Sequence, residues 1–76
     1  MADVTIEYCV PCGFRERALN LQQAILTSLE QEIDSCTLVM GAHGVFTVSV
    51  DGEKVYDKDE GDYDVDEIVR VVREHL

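Results

Sequence analysis

The chain has 76 residues, 46% of them hydrophobic and 29% charged, which suits one globular domain with a modest core and argues against a disordered chain. Sixteen acidic residues against six basic ones leave a net charge of −10, a surface that repels phosphate backbones and argues against nucleic-acid binding. No apolar run approaches the ~18–20 residues of a membrane span, and MADVTIEY carries acids where an export signal carries bases, so the expectation is a cytoplasmic protein without a membrane partner.

Val4, Ile6 and Tyr8 alternate with Thr5 and Glu7, the period-2 pattern of a strand. A pair of cysteines, Cys9 and Cys12, follows directly. From Gly13 the period changes: Phe14, Ala18, Leu21, Ile25 and Leu29, widened by Leu19, Leu26 and Ile33, predict a helix over 14–32. CTLVM (36–40) is short, apolar and β-prone and predicts a buried strand. GAHG (41–44) is a loop between glycines, and VFTVSV (45–50) alternates again. Asp51-Gly52 marks a two-residue hairpin turn into EKVYD (53–57), which would set Val48 opposite Val55. After the acidic loop, Asp64 and Glu67 have capping-box spacing, and Val65, Ile68, Val69, Val72 and Leu76 form the stripe of a final helix. The order βαβββα predicts a two-layer α/β sandwich, a small mixed sheet with two helices, as a single domain over 1–76.

Two explanations of the acidity compete. One is adaptation to high salt, where screening relieves self-repulsion; the other is an acidic docking face for a basic partner. Acids occur throughout the chain, which favours the first. The run 57–67 does not match a calcium loop: counted from Asp57, the sixth position, which demands Gly, is Asp62.

Three cysteines, an odd number, do not suit a disulfide-stapled exported scaffold. In a reducing compartment a close pair is more often catalytic or metal-binding. The spacing of Cys9 and Cys12 lets one sulfur reach the other without backbone movement, and a position near a helix start favours the thiolate. One thiolate can then attack a disulfide and the other resolve the mixed disulfide. Pro11 stiffens the loop and suits a first helical turn. The same pair could hold copper or zinc. A zinc ribbon needs a second cysteine pair, which Cys36 and His43 could replace only by coincidence of fold; small copper carriers have Met where this chain has Glu7, and end on a strand. Cys36 itself reads as a small core residue. A third reading is an interaction domain whose cysteines sense redox state without turnover.

Tyr8-Cys9-Val10-Pro11-Cys12-Gly13-Phe14-Arg15, followed by Leu19 and Leu21, resembles the opening of the selenoprotein W-like (Rdx) family of thioredoxin-fold proteins. Gly44-Val45-Phe46 with Val48 and Val50, the Gly52 turn, Lys58 and Gly61 extend the resemblance over nearly the whole chain. It implies a thioredoxin-like fold and a redox-active Cys9–Cys12 pair without an organic cofactor, acting as a thiol–disulfide oxidoreductase or redox adaptor on protein thiols, protein disulfides or glutathione. Thioredoxin logic makes Cys9 the attacker; the selenium of some relatives stands at the position of Cys12. The loop before the third strand would face the cysteines with Gly41 and Gly44 in place of a proline, admitting an extended substrate. His43 would lie near the thiols as a proton donor or acceptor. Tyr8, Pro11 and Phe14 would complete the docking surface.

Overall fold

Val4, Ile6 and Tyr8 turn one face of β1 (Asp3–Tyr8) into the core, while Thr5 and Glu7 stay half-exposed on the other face. The computed structural model describes residues 2–76 and places β1 second in a four-stranded sheet, between β2 (Ser35–Met40) and β3 (Phe46–Val50), with β4 (Glu53–Asp57) beyond β3, the order β2-β1-β3-β4. A helix, α1 (Arg15–Leu29), extended by a 3-10 turn (Glu30–Glu32), carries the chain across to β2, parallel to β1. β3 returns antiparallel on the other side of β1 and pairs with β4; α2 (Val65–Glu74) closes the chain. Ala18, Leu21, Ile25 and Leu29 of α1 and Ile68, Val69 and Val72 of α2 share one core with Val4, Ile6, Phe46 and Val48, so both helices cover the same face. The opposite face carries Thr5, Thr37, Thr47 and Ser49, hydroxyls that tolerate water while keeping β geometry. Among the described residues no helix is long and apolar enough to cross a membrane.

The order βαβββα and the two layers agree with the sequence reading, and three details differ. β2 is not a buried strand: it lies at the sheet edge, Cys36 and Leu38 are half-buried, and Met40 is 73% exposed. A short apolar run cannot by itself distinguish a central strand from an edge strand with one covered face. Leu19 is exposed, because it lies about 100° around α1 from Ala18. In the hairpin, Val48 faces Tyr56 rather than Val55. The turn is as expected, with Asp51 and Gly52 both at positive φ (52° and 86°), a type I′ geometry. A bulge between Val48 and Ser49 then leaves one extra residue in β4. It brings Tyr56 onto the inner face, where its ring meets Phe46 edge-on at 6.3 Å.

Asp64 caps α2 by accepting a hydrogen bond from the Glu67 N–H at 3.2 Å. The reciprocal half of a capping box is replaced: the Glu67 carboxylate turns forward to Arg70, which also reaches Glu74. With one cap bond carrying the start of a ten-residue helix, Asp64→Ala should lower the unfolding free energy by about 1 kcal/mol, read as a fall in urea midpoint at unchanged slope.

Candidate functional site

The strand order decides what lies over the end of β1. Because β2 and β3 flank β1 on opposite sides, their connection must cross the point where Cys9 leaves the sheet. Two hydrogen bonds seat that crossing: the Gly41 N–H donates to Tyr8 O at 2.8 Å, and the Cys9 N–H donates to Val45 O at 2.9 Å. Between them the Val45 N–H donates to Ala42 O at 3.2 Å, closing a turn that carries His43. Gly44, at φ 79°, supplies the left-handed backbone this turn needs. A Cβ at Gly41 would overlap the side chain of Glu7, so in this structure the place above Gly41 is taken by this chain's own carboxylate.

On the other side of the site, Val10 to Gly13 form a turn, with the Gly13 N–H donating to Val10 O at 3.2 Å and Gly13 at φ 77°. Pro11 occupies the second position of this turn, where its fixed φ is favourable, and not the first turn of a helix. The helix begins at Arg15 behind Phe14, which makes no side-chain cap bond. Cys12 therefore stands just outside α1. Helix-dipole support for a thiolate fades within about one turn, so it acts on Cys12 more weakly than a place inside that turn would allow.

Cys9 and Cys12 are joined as a disulfide with Cα atoms 5.4 Å apart, within the ordinary range for that bond. Their exposures differ. Cys9 is fully buried; Cys12 is half-buried between exposed Pro11 and Gly13. His43 is exposed, and a ring nitrogen and the two sulfurs all lie within 4.8 Å of one another. A solvated loop histidine and a histidine beside the thiols are here the same residue.

Cys36 is not part of this cluster. It pairs with Val4, four residues along β1 from Tyr8, or ~13 Å at ~3.3 Å per residue. A four-ligand zinc site using Cys36 is thereby ruled out. Burial pushes the Cys36 thiol from its ordinary 9.0 up to about 11. The folded state thus favours the neutral thiol: its contribution to stability is complete below pH 9 and is lost as pH rises toward 11. Alkaline unfolding should begin in that window, and Cys36→Ala should flatten the fall of the urea midpoint measured below and above it.

Tyr8 lies in the core at 7% exposure. Phe14 is half-buried and meets Phe46 edge-on at 5.8 Å; Tyr63 meets the same ring at 5.7 Å. Arg17, which the helical stripe leaves aside, holds this group together. Its guanidinium lies 5.0 Å from the Phe14 ring and 4.6 Å from that of Tyr63, and its carbonyl accepts from the Tyr63 hydroxyl at 3.3 Å. The Phe14–Arg17 spacing along the helix hints at one of these contacts; nothing local announces Tyr63. The acidic loop is held by its own bases. Asp57 accepts from Lys54 at 2.8 Å and from the Asp59 N–H at 2.9 Å, and the Lys54 bond holds its carboxyl below the usual range.

The model of the Rdx family matches residues 3–74. Among solved structures, a protein of Bordetella parapertussis is 28% identical with a TM-score of 0.91, over 99% of this chain and 98% of that one. A selenoprotein W-related protein from Vibrio cholerae is 24% identical with a TM-score of 0.89, over 97% of this chain and 95% of that one. No curated protein shows significant similarity. The sandwich is the thioredoxin-like one that the sequence resemblance implied, and Cys9 and Cys12 sit at its first strand-to-helix turn, an arrangement that fits a small redox protein. With a family match that runs from the first strand to the last helix, the chain belongs to the Rdx family.

Proposed function

We propose that this chain is a cytoplasmic thiol–disulfide oxidoreductase that cycles Cys9 and Cys12 between dithiol and disulfide, exchanging electrons with protein disulfides or glutathione. The observation that carries this reading is the inequality of the paired sulfurs, with Cys9 buried at the end of β1 and Cys12 reachable from solvent. It supports Cys12 as the attacking residue and Cys9 as the resolving one.

In the reductive direction, the Cys12 thiolate attacks one sulfur of a substrate disulfide. That S–S bond breaks, and the first substrate thiolate leaves and takes a proton. Cys9 then attacks Cys12 Sγ, which forms the Cys9–Cys12 bond and releases the second substrate thiol. Two electrons and two protons pass in all. His43, with a ring nitrogen within 4.8 Å of both sulfurs, accepts a thiol proton before attack and returns it to the leaving thiolate. Partner contact falls to Pro11, Phe14 and the Gly44 turn, with Tyr8 supporting them from the core.

Equilibration of the protein with glutathione buffers, with thiols counted by mass spectrometry, should give a reversible two-electron couple within roughly −180 to −300 mV, the range of working redox proteins. Failure to form an intramolecular disulfide in any buffer overturns the reading. A disulfide that forms without turnover on an insulin-type substrate leaves a redox sensor and removes the oxidoreductase.

A further inference from the structure

In the bonded form the two sulfurs and an imidazole nitrogen of His43 lie within 4.8 Å of one another, brought from two segments that the strand order places together. Reduction of the Cys9–Cys12 bond turns the sulfurs into two separate donors beside that nitrogen. We propose that the reduced protein binds one zinc ion through Cys9, Cys12 and His43, with water in the fourth position. The proposal does not depend on turnover at this site.

The donor set selects the ion. Two thiolates exclude magnesium and calcium, which take oxygen ligands, and favour copper(I) or zinc. The imidazole, a borderline donor, tips the choice to zinc, which accepts Cys2His with an open position. The geometry is close to what zinc needs. With Zn–S near 2.3 Å and Zn–N near 2.0 Å, tetrahedral ligand atoms stand roughly 3.5–3.8 Å apart. Once the disulfide opens, the sulfurs move apart toward this spacing while the exposed His43 ring closes toward them.

Burial and charge point the same way. A lone thiolate on fully buried Cys9 would lose hydration with nothing to replace it, whereas two thiolates and Zn²⁺ sum to a neutral centre. A chain of net charge −10 also attracts a cation to its surface. Cys12 is half-buried and His43 exposed, so their side of the centre is where a fourth, exchangeable ligand belongs.

The site would link metal and redox state. A substrate disulfide that oxidises the zinc-bound dithiolate takes two electrons from the two thiolates, leaves as two thiolates and takes two protons from solvent to become two thiols; the Cys9–Cys12 bond forms, and Zn²⁺ is released because the bonded sulfurs no longer serve as thiolate ligands.

The test titrates reduced, metal-free protein with Zn²⁺ against a chromophoric chelator, beside the wild-type disulfide form. One ion per chain in the reduced form and none in the oxidised form is expected; the sixteen carboxylates would bind both forms alike. His43→Ala, on an exposed loop, should weaken binding by at least about tenfold, since even outer-shell partners of a metal site matter by ~10–100-fold. Cys12→Ser should abolish it. Cobalt(II) in place of zinc should show thiolate charge-transfer absorption that His43→Ala alters. Equal binding by reduced and oxidised protein overturns the proposal, and so does a His43→Ala variant, folded by circular dichroism, that binds as tightly as wild type. Either failure leaves the reduction potential, and with it the redox reading, standing.

Discussion

Cys12→Ser is expected to reduce disulfide reductase activity to background, a loss of at least about a hundredfold, as removal of a nucleophile does. Cys9→Ser should behave differently in kind. The attacking thiol survives in that variant, so a single encounter with a disulfide substrate goes forward and stops at the mixed disulfide, because no second thiol resolves it. Mass spectrometry after mixing with a disulfide should therefore show a stable adduct on Cys12 of Cys9→Ser and little adduct on Cys9 of Cys12→Ser. The asymmetry follows from exposure, since Cys9 is fully buried and Cys12 is not. An adduct trapped on Cys9 instead would reverse the two roles. Cys36 is the second thiol in each variant. Its half-burial, which holds the thiol protonated well above neutral pH, keeps it a slow competitor, and Cys36→Ala removes it as a control.

Phe46→Ala should be the most destabilising single change in the core. Phe46 is fully buried and meets three rings edge-on, those of Phe14, Tyr56 and Tyr63. Truncating a buried Phe to Ala costs about 3–5 kcal/mol, against a total for a domain of this size of roughly 4–11 kcal/mol at ~0.05–0.15 kcal/mol per residue. The loss should also reach the site. Phe46 follows Val45, whose carbonyl holds the Cys9 N–H, and its own carbonyl accepts from the Lys58 N–H at 3.1 Å. A urea midpoint displaced by ~2–3 M and a raised alkylation rate at Cys9 in the reduced protein are the expected readouts. Leu19→Ala, at an exposed position of α1, should stay within about 0.5 kcal/mol of wild type and serves as the reference. A Phe46→Ala midpoint as close to wild type as that of Leu19→Ala would show that the aromatic cluster is not what holds the sheet to α1.

The sequence by itself determined the parts of this protein that depend on near neighbours along the chain. Val4, Ile6 and Tyr8 declare a strand with one buried face, and Ala18, Leu21, Ile25 and Leu29 declare a helix, because period 2 and period 3.6 are properties of the backbone itself. Asp51-Gly52 declares a type I′ turn because few residue pairs adopt positive φ twice in succession. Cys9 and Cys12 can bond because two intervening residues hold their Cα atoms at the distance the bond needs.

Only the tertiary structure decided what stands beside these parts. A strand's pattern states which face is buried but not which strands flank it. The order β2-β1-β3-β4 sends the 41–45 connection over Cys9, so His43 arrives next to the sulfurs from more than thirty residues away and Cys36 is left near the far end of the sheet. The bulge in β4 and the clustering of Tyr56 and Tyr63 around Phe46 likewise answer to the volume between sheet and helices. That volume exists only once the layers have met, and no local run of residues measures it.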